Sequence, residues 1–298
     1  MIIAIDALNR ERFGAVLDEM FKLRARVFGD RLGWEIDVVD GREIDRFDAL
    51  DPAYLVGLDD DGQVVSCARL LQTTGPHMLA DVFSEILDGE PPLRSSRVWE
   101  STRFCVDTQR LRARSGTAAI SRATCEILIA INDYGMQAGI GDIVTVIDPV
   151  MNRVLKRSAC APYDYVGTQK PMGRVPALAA LLDCTPERGA AVRAFSGIEG
   201  SVFLGDDEAL ALFEGAVPPE SADNVVPFPM APAAPAPTDI GTAEILGYCI
   251  HLVRTAEGAE ERRRACQVAG DLLARTGLAQ DVKDLAEALT APSEAATV

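Results

Sequence analysis

Between Glu11 and Phe28 the apolar residues Phe13, Val16, Leu17, Met20, Val27 and Phe28 recur at three- and four-residue steps, the period of an amphipathic helix. Arg24 falls four residues after Met20, on the apolar stripe. A guanidinium there needs an anionic partner, because a buried unpaired charge is costly. Residues 1–6 alternate weakly as a first strand. Residues 29–50 hold Gly29, Gly33 and Gly41 without a clear period and read as a long ordered loop, a kind of segment that usually carries function. Two strand-like runs, 54–58 and 63–71, flank Asp59-Asp60-Asp61-Gly62 and predict a β-hairpin. A turn at Gly75-Pro76, an apolar segment from Met78 to Leu87 and a breaker at residues 89–92 follow. Residues 97–106 then read as a strand, and a period of two places Val98, Glu100, Thr102, Phe104 and Val106 on one face and Arg103 on the other.

A long helix over 117–138 is expected to bury Ile120, Ile127, Leu128, Ile131 and Tyr134. Residues 142–148 are too short and β-branched for anything but a buried strand, and Pro149 opens a helix through Ala159. Together these elements predict a mixed α/β sandwich around one twisted sheet. From about Pro218 to Thr238 the composition turns to Pro and Ala, a semi-rigid linker. Helical periodicity returns beyond it, with Ile245, Leu246, Cys249, Ile250 and Val253 on one stripe. About fifty residues are few for an independent core, so this extension is expected to dock on the main domain or on a second copy. The expected layout is a main domain over 1–215, a linker over 216–239 and a helical extension over 240–292.

With 298 residues and 48% hydrophobic content, the chain can bury a proper core. Its formal net charge of -16 argues against general nucleic-acid binding, which relies on Lys and Arg. Seven cysteines, scattered and without a C-x-x-C pair, indicate neither a disulfide framework nor a zinc site, and no metal is expected. No basic segment followed by a long apolar run opens the chain, and no stretch approaches the length of a membrane span, so the chain reads as cytoplasmic, away from membranes. Against the acidic background, Arg153, Lys156 and Arg157, with Lys170 and Arg174 beyond them, form a basic cluster. It is either a dock for an acidic partner or a solvated helix face.

Beyond the end of the first helix the nearest carboxylates are Glu43, Asp45 and Asp48, and Phe28 and Trp34 supply flat apolar surface beside them. Aromatic faces with carboxylates suit a cationic, planar-ringed small molecule, and an ordinary core Arg–Asp pair fits the same residues. Glu100 is the lone carboxylate on its face. Burial raises a carboxyl pKa and makes a useful base near neutral pH, whereas a salt bridge to Arg69 or Arg24 would make it structural. Arg69 sits in a strand otherwise made of small and apolar residues, where a snorkelling edge-strand arginine is the plain alternative.

Arg24, Phe28, Trp34, Asp45 and Asp48, followed by Arg69, Glu100 and Arg103, resemble the signature of the acyl-homoserine-lactone synthase family, the autoinducer synthases of bacterial quorum sensing. The resemblance covers about residues 1–200. It implies a three-layer α/β sandwich similar to the GNAT-type N-acyltransferases. It also implies no cofactor, with S-adenosylmethionine as a substrate that is acylated on its α-amine by an acyl thioester of acyl-carrier protein or coenzyme A. The product then closes to the lactone with loss of methylthioadenosine. In this resemblance Glu100, Arg69 and Arg103 belong to catalysis, and Arg24, Phe28, Trp34, Asp45 and Asp48 to S-adenosylmethionine. Thr145 stands where the family often places a Ser or Thr that senses a 3-oxo group, and Arg153, Lys156 and Arg157 would dock the acyl carrier. Two rivals remain at this point: a coenzyme-A-dependent GNAT acetyltransferase, and a catalytically silent sensor of the adenosyl ligand that signals through its C-terminal helices. The acetyltransferase needs a [Q/R]-x-x-G-x-[G/A] loop, and residues 110–117 lack that glycine pair. A homodimer through the C-terminal helices is a further expectation.

Overall fold

The first strand, β1 (Ile2–Ile5), leads through a 3₁₀ turn at Arg10–Phe13 into α1 (Gly14–Arg24). The structure is a computed structural model and describes residues 1–32, 36–172 and 175–216. Trp34, Arg174 and the segments expected to form the linker and the helical extension, beyond Ala216, lie outside these residues. The predicted helix does not stop at Phe28: α1 widens into a π-helical turn over Ala25–Arg31. Widened turns of this kind concentrate at functional sites. The segment read as one long loop contains a small hairpin, β2 (Val38–Val39) with β3 (Arg42–Glu43), and a 3₁₀ turn at Arg46–Ala49.

The predicted hairpin is β4 (Ala53–Leu58) with β5 (Val64–Gln72), after which come a one-turn helix, α2 (Met78–Asp81), and a 3₁₀ turn at Ser84–Leu87. Next are β6 (Val98–Val106), α3 (Thr108–Gln137), β7 (Asp142–Ile147) and α4 (Pro149–Arg157). Within α3, Gly116 leaves helical geometry at φ 75°, so the periodic stretch read from residue 117 onward is the segment beyond this break. Side chains of Asp107 and Asp148 cap α3 and α4. The periodicity did not reveal β8 (Asp164–Met172), β9 (Val175–Asp183), α5 (Pro186–Ser196) or α6 (Asp206–Ala216). β8 is a largely exposed, polar edge strand with no apolar alternation to detect.

Seven strands form one sheet in the order β1-β4-β5-β6-β7-β9-β8, antiparallel throughout except for β6 with β7. Alternation along the strands separates two cores. Ile2, Leu55, Ile143 and Leu182 face α3 and α5, whereas Ile3, Ile5, Tyr54 and Val56 face α1 and α6. On that second side, at the far end of the sheet, Leu79, Ile86 and Leu87 pack against Val144 and Ala179. Helices thus cover both faces of a mixed sheet, the three-layer sandwich that was expected.

Two irregularities position the site. The parallel pairing of β6 with β7 runs only from Val98↔Asp142 to Glu100↔Val144. Just beyond that stretch of β6 the register against β5 shifts, from Arg69↔Thr102 to Cys67↔Cys105. Arg103 takes up the extra residue with φ 53°, in the left-handed region. This bulge corrects the regular-strand expectation for 97–106. Phe104 and Val106 pack toward α3, while Val98 stays with the opposite cluster, so the face expected to carry Glu100, Phe104 and Val106 together is split. Arg103 is turned to the side of Arg69 rather than away from it.

Candidate active site

Three arginines and three carboxylates lie together on the α1 side of the sheet. Arg24, fully buried, donates to both oxygens of Asp48 at 2.8 and 2.9 Å and, through Nε, to Glu43 at 2.5 Å. Arg69, also fully buried, donates to Asp45 at 2.6 and 2.9 Å and to Asp48 at 2.7 Å, with Nε on the Thr102 hydroxyl. Arg103 closes the ring onto Glu43 at 2.9 Å and Asp45 at 2.7 Å. Its guanidinium lies 5.6 Å from the centre of the Phe28 ring. Opposite charges in equal number, each with several donors or acceptors, meet the condition under which buried ions are tolerated.

Asp48 is the hub of this cluster. Besides the two arginines it accepts from the Tyr54 hydroxyl at 2.7 Å and from the Asp45 N–H at 2.8 Å. Burial alone would raise its pKa, but Arg24 and Arg69 outweigh that and hold it well below the usual carboxylate range. The same ion pairs push Arg24 and Arg69 up against the opposing effect of burial. Asp48 and Asp45 form a capping box at the 3₁₀ turn, so the local sequence Asp45-Arg46-Phe47-Asp48 fixes their mutual placement. With 1% exposure and every acceptor in use, Asp48 departs from the expectation of a carboxylate facing a ligand. Asp45, with 19% of its side chain exposed, stays nearer the surface.

Glu100 behaves differently. It is fully buried, and its two oxygens accept from the backbone N–H groups of Met78 at 2.7 Å and Leu79 at 2.6 Å, at the start of α2. No arginine among the described residues bridges it, so the salt bridge to Arg69 or Arg24 considered from the sequence does not form; both guanidiniums are occupied by Glu43, Asp45 and Asp48. Burial raises its pKa to about 7, against the lowering effect of the two N–H bonds and of Arg69.

Where β6 and β7 part, a cavity of about 400 Å³ opens between Ser101–Val106 and the segment from Thr145 to Leu155. Its walls are mainly apolar, and Phe28, Met78, Arg103 and Thr145 all contribute. Glu100 is not on the wall; its neighbour Ser101 and its hydrogen-bond donor Met78 are. The Thr145 hydroxyl has no hydrogen-bond partner among the described residues. Arg31, from the π-helical turn, donates to the Val106 carbonyl at 3.0 Å and the Thr108 hydroxyl at 2.7 Å at another part of the wall.

Arg153, Lys156 and Arg157 are exposed along α4 and form no ion pair with any described residue. Lys170 is not part of that cluster, because it pairs with Asp88. Sequence reasoning noted Glu43 without giving it a role and passed over Tyr54 and Met78. The 1% exposure of Glu43 and its bonds to two arginines make it an equal member of the cluster. Its signal was its spacing from Asp45 and Asp48. Tyr54 gave none, since a tyrosine in a strand is ordinary core.

The family model for autoinducer synthases matches residues 9–192, well over half of the chain. The chain belongs to the autoinducer synthase family. Curated relatives of this member include an acyl-homoserine-lactone synthase of Agrobacterium fabrum, 36% identical over 181 residues, which are 61% of this chain and 85% of that protein. Another, from Pseudomonas aeruginosa, is 38% identical over 161 residues, covering 53% of this chain and 77% of that protein. Among solved structures, the AHL synthase LasI superposes with a TM-score of 0.57 at 31% identity, over 67% of this chain and 98% of its own. The coenzyme-A-dependent acyl-homoserine lactone synthase BjaI, solved with S-adenosylmethionine and isopentyl-coenzyme A, gives 0.61 at 25% identity over 71% and 98%. The mixed α/β fold of this chain is the one these neighbours share.

Proposed function

We infer that this chain is an acyl-homoserine-lactone synthase. The α-amine of S-adenosylmethionine attacks the carbonyl of an acyl thioester, forming the amide and releasing the carrier thiol. The carboxylate of the same molecule then displaces methylthioadenosine from its own γ-carbon, closing the lactone. The observation that carries this reading is Glu100: a buried carboxylate, pKa about 7, held beside an apolar cavity in a chain of this family. Attack requires a neutral amine, and a base with a pKa near 7 can take the proton and later yield it. Because Glu100 stands behind the wall, the proton passes through a water at the parting of β6 and β7.

Of the charged cluster, Asp45 and Arg103 face the substrate, with Phe28 beside Arg103; the role expected for Trp34 falls outside the described residues. Arg24, Arg69, Glu43 and Asp48 hold them in place. A sulfonium and an ammonium are served by the Asp45 carboxylate and the aromatic surface, and the substrate carboxylate by Arg103. The acyl chain runs into the cavity, where the Thr145 hydroxyl, without a partner among the described residues, is a polar group available to a 3-oxo substituent. Arg153, Lys156 and Arg157 on α4, without an ion pair among the described residues, receive an acidic acyl-carrier protein, or the phosphates of coenzyme A. Mass spectrometry of products from purified protein, S-adenosylmethionine and a panel of both thioester types tests the whole reading. An acyl-homoserine lactone with stoichiometric methylthioadenosine is expected; acylation of some other amine with the adenosyl compound untouched would refute it.

A further inference from the structure

Glu100 is gripped from outside its own strand. α2 has no side-chain cap: His77 precedes it in extended conformation and makes no capping bond, which leaves the Met78 and Leu79 N–H groups for Glu100. The turn that delivers them is tied down at one atom. The Gly75 carbonyl oxygen accepts from His77 Nδ1 at 2.9 Å and from Arg94 Nη1 at 2.9 Å. Arg94 also reaches the Thr74 carbonyl at 3.2 Å, and the Thr73 hydroxyl donates to the Val98 carbonyl at 2.6 Å, which fastens the same turn to the start of β6. His77 is fully buried. Since Nδ1 donates to a carbonyl, Nε2 is the unprotonated nitrogen, and it has no hydrogen-bond partner among the described residues. The bond to Gly75 is the one hydrogen bond of the imidazole among the described residues.

We propose that His77 and Arg94 form a positioning clamp for the base: by holding the Gly75 carbonyl they aim the Met78 and Leu79 N–H groups at Glu100 and so anchor its carboxylate. The clamp rests on Glu100 as the base of the reaction inferred above. Neither residue touches the reacting atoms. Charged groups facing Glu100 across space are Arg69, which favours its anion, and Asp81, which opposes it. With the two N–H bonds lost, burial and Asp81 act against Arg69 alone, so Glu100 holds its proton to higher pH. His77 itself is pushed toward its neutral form. Burial lowers its pKa, the Arg94 charge adds to that, and the Gly75 bond and Asp81 oppose it without reversing it.

The test is the pH dependence of kcat/KM in His77→Leu, Arg94→Met and His77→Asn. The leucine removes the donor, and the asparagine can still present an N–H to Gly75. In His77→Leu the acid limb should move up by about one pH unit, roughly a tenfold loss at pH 6 that closes at high pH. Arg94→Met should move it less in the same direction, and His77→Asn should keep it near the wild-type position. An unmoved limb in folded His77→Leu, or a loss that is uniform with pH, overturns the clamp. Should His77→Leu fail to fold, Arg94→Met decides, because Arg94 is exposed: an upward shift supports the clamp and an unmoved limb overturns it. The same titration is read without turnover from the carboxyl resonance of Glu100 in ¹³C-glutamate-labelled protein, assigned with Glu100→Gln. A wild type that makes no lactone but whose Glu100 resonance still shifts in the variants would sink the proposed reaction and leave the clamp standing.

Discussion

The charged cluster under α1 and the cavity between β6 and β7 lie side by side and are joined by Arg103, yet they differ in how much of their bonding capacity is already occupied. In the cluster, Arg24, Arg69, Glu43 and Asp48 are buried and bonded to one another on nearly every polar atom. Around the cavity, Glu100 has backbone donors but no counter-ion, Thr145 has no partner among the described residues, and Arg103 sits on strained backbone. A fully satisfied network rigidifies; a partly satisfied one retains capacity for a ligand or a proton. Residue type alone therefore does not say which carboxylate does chemistry. Asp48 and Glu100 are equally buried carboxylates: paired arginines hold one far below the usual range, whereas burial outweighs the backbone donors and the more distant Arg69 charge at the other and raises it to about 7.

The largest effect expected from that contrast is at Glu100. Glu100→Gln should lower kcat by about 10²–10⁴-fold with binding of S-adenosylmethionine retained, as measured by steady-state turnover and calorimetry. Stability should move the other way. A carboxyl whose folded pKa is raised from 4.5 to about 7 holds its proton better folded than unfolded, so folding stability is lost as pH rises between those values. The glutamine variant lacks this penalty. Its Tm should exceed that of the wild type at pH 8 and approach it at pH 4, and an equal Tm difference at both pH values would count against a raised pKa.

On the other side of the comparison, Asp48→Asn should act through stability. It leaves two buried guanidiniums short of charge, which costs about 3–5 kcal/mol, read as a lower midpoint in urea. The depressed pKa gives this contribution its pH window: it is present above the unfolded-state value and is lost as pH falls through the folded one. A variant with unchanged stability and only a raised KM for S-adenosylmethionine would move Asp48 back among the ligand-facing groups.

The cations of α4 offer a smaller, surface effect. Lys156→Glu with Arg157→Glu should raise KM for acyl-carrier protein about tenfold at low salt with kcat and Tm unchanged, and the effect should shrink as salt screens it. The same KM at every ionic strength would return these side chains to an ordinary solvated face.

Much of this is legible in the sequence. Arg24 on an apolar stripe required a carboxylate, and Asp48 supplies it; β4 with β5, β7 and α4 fall where alternation and proline placed them. Arg103 was not legible, because a bulge is a mismatch between two strands and leaves no mark in either strand's own pattern. The partner of Glu100 was equally hidden. Backbone N–H groups exist at every non-proline residue, so only the fold decides that those of Met78 and Leu79 arrive 22 and 21 positions away from it. β8 escaped for a plainer reason: an exposed edge strand carries little of the apolar signal that periodicity reads.

The finest test of the open side of the comparison is Thr145. Its strand pairs with β9 through the backbone, Thr145 opposite Ala180, so that strand contact does not depend on the hydroxyl, which lies at the cavity without a partner among the described residues. Thr145→Val keeps the shape and removes one donor and acceptor. A single neutral hydrogen bond contributes about 0.5–1.5 kcal/mol net. If the hydroxyl meets a 3-oxo group, the ratio of kcat/KM for 3-oxoacyl over unsubstituted thioesters should fall roughly fivefold with Tm unchanged, in a competition assay that measures both products together. A ratio that does not move would mean that the acyl chain leaves Thr145 to water, and that selection at C3 belongs to another part of the wall.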